Sequence, residues 1–236
     1  MSLPFATLIK EWFRLHARFS DAVTQLCGPY YAPFIYTRHW YGSTFQSAEA
    51  VAKGTGDTLE KPRKEHRWRV KAVLTALEKA NLDPEIVSRV ERLIRRNDKP
   101  LAQLIEELII STGAVGEQLL AAVPDLPGLA VATRTHVSHP GVKGPEVLVQ
   151  HRLGQALTWA IRMRLLAELG IPVSTLAAAA TTKPSFQHDV QELAALHQTP
   201  SKASRPRRAF VATRSPELGR SPLSPKRLLR KLIGRP

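Results

Sequence analysis

Apolar residues recur every three to four positions along most of the first 172 residues, and this spacing constrains the fold more than any other feature. Leu8, Ile9, Trp12, Phe13, Leu15, Phe19, Val23 and Leu26 set the pattern. Such spacing gathers the side chains on one face of a helix of about six turns. Gly28-Pro29 is expected to stop that helix. After the aromatic run Tyr30 to Tyr36, a second helix is expected from about Pro33 to Lys53, broken by Gly54-Thr55-Gly56-Asp57. A third begins after Pro62, with Trp68, Val70, Val73, Leu74 and Leu77 on its apolar side. Asp83-Pro84 opens a fourth, with Asp as N-cap and Pro at the first helical position. Further helical segments run from about Lys99 to Ser111, Val115 to Val123, Gly128 to Ser138 and Pro145 to Leu169, the last closed by Gly170-Ile171-Pro172. No alternating strand of convincing length and no internal repeat breaks the series. The expectation is an all-α bundle over residues 1–172.

From about residue 173 the composition shifts. Ala177 to Ala180 with flanking Thr is low complexity, and the remaining C-terminal residues are rich in Ser, Pro, Arg and Lys. Residues 173–236 are therefore expected to form a disordered basic tail, because such a segment buries too little apolar surface to offset its ordering entropy. A short amphipathic helix over Arg227 to Ile233 could still form on a partner.

Of the formal charge of +14, residues 183–236 contribute +9, from 12 Lys and Arg against 3 Asp and Glu. The tail thus sets most of the basicity, and the +5 of residues 1–182 is too small an excess to name a polyanion. Cys27 is the sole cysteine, which excludes a disulfide framework and multi-cysteine zinc modules. No run of 18 or more apolar residues and no secretory pattern at the start is present, so a cytoplasmic protein without a membrane span is expected.

The candidate chemistry lies in Arg134-Thr135-His136-Val137-Ser138-His139, with Pro140-Gly141 immediately after it. In an undistorted helix, positions five apart diverge by roughly 140°. Pro140 disfavours helical backbone at His139, which frees that residue to turn back toward Arg134. Spacing alone favours the plainer pair, an exposed Arg and a His capping a helix C-terminus.

Several segments together resemble the Apea-like branch of the HEPN family, a helical-bundle family that contains many metal-independent ribonucleases of prokaryotic defence and toxin systems. The resemblance covers about Leu8 to Pro172. It runs through Glu11-Trp12-Phe13, Tyr30-Tyr31-Ala32-Pro33, the helix with Glu49, Lys64-Glu65-His66-Arg67, the Thr133 to His139 stretch and the Leu-rich final helix. Arg134 and His139 fall on the two fixed positions of the family's motif. The residue after the Arg is Thr135, where the family typically has Asn, Asp or His. The β-rich domain that often precedes this module is not among these residues, so substrate selection is expected to differ.

The resemblance implies an endoribonuclease in which Arg134 binds the phosphate and His139 moves protons, without metal or cofactor. Thr135, His136 and Glu49 would support them, and a homodimer would bring two such motifs into one cleft. Expected partners are RNA and an antitoxin or regulatory protein. Taken by itself, Glu49 reads equally as a solvated or Arg-paired helix residue. His136 and His139 could share a metal only with a third ligand, and none is evident. Arg38 and His39 beside Tyr36 and Trp40 could stack on a base, or these aromatics could simply pack in the core. The basic cluster around Lys64 and Arg67 could track phosphates or be a solvated face. The alternative reading is a catalytically inactive HEPN-like module that binds nucleic acid or a protein partner.

Overall fold

In the computed structural model, residues 4–32, 34–80, 82–139 and 145–198 are described. They form an all-α protein of ten helices: α1 Phe5–Tyr31, α2 Thr37–Thr55, α3 Arg63–Lys79, α4 Pro84–Ile94, α5 Leu101–Ile110, α6 Ala114–Ala122, α7 Leu126–Ser138, α8 Val147–Glu168, α9 Val173–Thr181 and α10 Pro184–Gln198. None among them is long and apolar enough to cross a membrane.

The core is built around α2 and α8, which pack along each other. Leu153 to Ile161 of α8 are buried on almost every side, save Gln155, as expected of a helix enclosed by its neighbours. Small residues allow the close approach. A Cβ on Gly154 would lie 2.4 Å from the Trp40 ring, so glycine is what lets this indole rest on α8. On the other flank of α2, the buried Ser47 hydroxyl donates to the Ala22 carbonyl of α1 at 2.8 Å. Gly170, at φ 86, terminates α8 in the left-handed conformation that glycine adopts without penalty. Asp83 caps α4 as its sequence indicates, accepting from the Glu85 N–H at 2.7 Å.

Three sequence expectations need correction. The first helix does not stop at Gly28-Pro29 but continues to Tyr31, with a break in its helical dihedrals at Phe19. Pro29 sits in the last turn, so its missing N–H removes only a bond close to the frayed end. The second helix begins at Thr37 rather than Pro33. The largest correction concerns residues 173–198, which are not a solvated tail but two helices of the bundle. Ala177 and Ala180 are buried, where the Ala run gives close packing, and Phe186 and Leu193 are fully enclosed. Phe186 meets Trp159 edge-on with centroids 5.1 Å apart, and the Trp159 Nε1–H donates to Asp189 at 2.8 Å. Arg152 of α8 pairs with Glu192 of α10. The rest of the expected tail, 199–236, lies outside the described residues.

Helices α3 and α4 stand apart. They pack on each other, make no extended contact with another helix and hold no buried residue. Their root is a neck of two chain segments joined by an isolated antiparallel bridge between Leu59 and Asp98. Glu60 N–H donates to the Asn97 carbonyl at 2.9 Å and Lys99 N–H to the Thr58 carbonyl at 2.8 Å. The Asn97 side chain accepts from Lys61 N–H and donates to the Lys61 carbonyl. Lys99 then ties the neck to α5 through Glu107 at 2.8 Å, and this ammonium holds the Glu107 carboxyl below the usual range.

Candidate functional site

The Arg134–His139 stretch forms the last turns and cap of α7. The helix ends at Ser138, and His139 has extended backbone (φ −113°, ψ 101°) with its N–H still donating to the Thr135 carbonyl at 3.2 Å. That is the departure from helix which a succeeding proline imposes. Pro140 and Gly141 themselves lie outside the described residues. Arg134 is half-buried and His139 exposed. The Arg134 guanidinium has no ion pair or hydrogen bond among the described residues.

Two tertiary contacts fix α7 against α2, one in its first half and one at its C-terminal end. The buried Tyr41 hydroxyl donates to the Ala130 carbonyl at 2.7 Å, and burial raises its pKa, so it remains a donor. Arg38 places Nε 3.0 Å from the Val137 carbonyl and donates to it from Nη2 as well. A cation on the last carbonyls also complements the negative end of the helix dipole. Arg38, a candidate for stacking on a base, is exposed, and its guanidinium clasps the helix that carries Arg134 and His139. Tyr41→Phe should leave α2 and α7 packed but lower stability by about 1 kcal/mol, measurable as a shift in denaturant midpoint.

The supporting candidates divide. His136 lies half-buried on the same turn, with its Nδ1 buried and without a partner among the described residues. Thr135 is exposed, and its hydroxyl donates to the Val131 carbonyl of its own helix at 3.0 Å. Glu49 is not brought to this end. It lies about 16 Å further along α2 than Arg38 and pairs with Lys53 at 2.6 Å. Lys64 and Arg67 are on α3, in the separate hairpin.

One residue at this end of the bundle was not singled out from sequence. His151 of α8 stacks on Trp40 with centroids 5.2 Å apart, and together with Tyr30 and Ile35 they line a cleft of about 320 Å³. Nothing local in the sequence marks His151; the Trp40 contact spans more than 100 residues. His39 meets Tyr36 edge-on at 5.9 Å. His39 and His151 thus lie near the starts of α2 and α8, and Arg134, His136 and His139 on the last turns and cap of α7, with Arg134 unpaired among the described residues. Such a set can bind a phosphoryl oxygen and exchange protons near neutral pH. Among the described residues no group of three His, Cys, Asp or Glu side chains is placed to hold a metal ion. Comparison with known proteins adds no assignment, since no family model, curated protein or solved structure matches the chain.

Proposed function

We propose that the protein is a metal-independent endoribonuclease of a prokaryotic defence or toxin system, with an Apea-like HEPN domain as its catalytic module. The observation that carries this reading is the end of α7. A half-buried guanidinium, without a counter-ion among the described residues, lies between one and two turns before an exposed imidazole that has left the helix.

RNA supplies its own nucleophile. A base removes the 2′-hydroxyl proton, the 2′-oxygen forms a bond to phosphorus, and the bond from phosphorus to the 5′-oxygen breaks as that oxygen is protonated. The products are a 2′,3′-cyclic phosphate and a 5′-hydroxyl. His139 is suited to the proton transfers, because imidazole is the side chain that both takes up and gives up protons in general acid–base chemistry. Arg134 offers the planar fork that matches phosphoryl oxygens. Two transfers with one exposed motif His per chain favour an isologous homodimer in the cytoplasm, each protomer lending its motif to a shared cleft. An antitoxin or other regulatory protein would restrain such an enzyme.

A non-cleaving module that binds nucleic acid or protein is the second reading. It is favoured by Thr135, whose hydroxyl is turned onto its own helix. Incubation of the purified protein with total RNA in excess EDTA separates the two. Cleavage to 2′,3′-cyclic phosphate ends is the expected result. Intact RNA, or cutting that chelation abolishes, would sink the enzyme reading.

A further inference from the structure

Within residues 1–198, basic charge is concentrated in one segment. Residues 61–99 hold twelve Lys and Arg against six Asp and Glu, whereas residues 1–60 and 100–198 together hold eleven against thirteen. The hairpin that carries this excess is the element the bundle leaves uncovered.

Within it, the arrangement is specific. Val70, Leu74 and Leu77 of α3 are half-buried, while Lys64, Arg67, Trp68 and Lys71 occupy positions i, i+3, i+4 and i+7 of one exposed strip. Trp68 is 70% exposed. Lys64 and Lys71 have no ion pair among the described residues, and the Arg67 Nε makes one long bond, 3.4 Å, to the Arg63 carbonyl of its own helix. The acidic partner lies on the other flank, where Glu65 pairs with Arg69 at 2.8 Å. Arg67, Lys71, His66 and Arg95 line an open groove of about 780 Å³ floored by Val70 and Leu74, with Glu78 further out as its one carboxylate. Arg95 is itself paired with Glu91.

We infer that the exposed strip of α3 is a binding surface for single-stranded nucleic acid. Three cations without an ion pair among the described residues spread over about 10 Å of helix axis, the reach of a few consecutive phosphates of one strand. An indole left in solvent between them offers a platform on which a base stacks, and bases present a free face only when unpaired. An acidic protein surface would satisfy the cations but has no use for a bare indole flanked by them. The inference does not rest on cleavage at the α7 end, because holding a strand requires no catalysis.

The test uses the full chain and two fluorescein-labelled 12-mers that a 2′-hydroxyl mechanism leaves uncut: 2′-O-methyl uridine and deoxythymidine. Fluorescence anisotropy should give binding to both that weakens with salt. Lys64→Glu/Arg67→Glu/Lys71→Glu should weaken it about 100-fold or more, and lower the slope of log affinity against log salt by about 2. Trp68→Ala should weaken it about tenfold with the salt slope unchanged. Residues 199–236 add a basic background common to all variants, so the differences report the hairpin. Because these side chains are exposed, circular dichroism melts should coincide with the wild type. Three results would each overturn the inference: unchanged affinity in both variants, a 12-mer duplex bound as tightly as the single strands, or polyglutamate of equal charge competing as well as the oligonucleotide.

Discussion

His139→Ala is expected to slow RNA cleavage by at least ~10²-fold, the scale of a lost acid–base group, with little change in stability. The imidazole is exposed, and the bond that holds its backbone, from its N–H to the Thr135 carbonyl, survives the substitution. A surface change of this kind stays within about 0.5 kcal/mol. Arg134→Lys should fail as well, because an ammonium keeps the charge but not the fork that meets two phosphoryl oxygens. Quantifying cyclic-phosphate ends with each purified variant checks both. Wild-type rates from either one would remove these residues from the site. If two protomers share a cleft, mixing His139→Ala with Arg134→Ala chains should give a dosage effect rather than simple dilution.

Ending the chain after Thr182 should destabilise the bundle severely. Phe186 and Leu193 of α10 are fully buried, and each contributes about 1.5–3 kcal/mol by leaving water. Their loss also uncovers Trp159 and leaves its Nε1–H without the Asp189 acceptor. At about 2–4 °C per kcal/mol for a domain of this size, the melting temperature should fall by roughly 10 °C or more. Thermal melts of chains ending at Thr182 and at Gln198 provide the check. Equal melting temperatures would mean that α10 adds nothing to the core. The outcome bears directly on the expectation, from sequence alone, that residues 173–236 form a disordered tail.

That difference shows where legibility ended. Helices α3 to α8 are recognisable from periodicity and punctuation, because Asp83-Pro84 and Gly170 perform their local roles whatever surrounds them. The cap at His139 is equally local, set by the next residue. Helix α10 has the same kind of spacing in Phe186, Val190 and Leu193, but the Ser-, Pro- and Arg-rich composition after it outweighed three apolar positions. The Ala run of α9 reads as low complexity until a neighbour is seen to need small side chains there. Arg38 and Glu49 illustrate the harder case. Whether a charged side chain clasps a carbonyl 99 residues away or pairs with a lysine on the next turn is decided by tertiary placement. No one-dimensional pattern encodes that choice.

The neck beneath α3 and α4 has a consequence for how such a chain can be divided. Its two segments already hold Thr58 and Lys99 within one hydrogen bond, so the bundle is closed below the point where the hairpin begins. A tight turn joining the two segments would satisfy the same backbone geometry. Everything beyond is carried on this neck, and α3 and α4 pack on each other rather than on α2 or α5. Excising residues 60–97 in favour of such a turn would thus separate the projecting arm from the bundle while the interior keeps its packing.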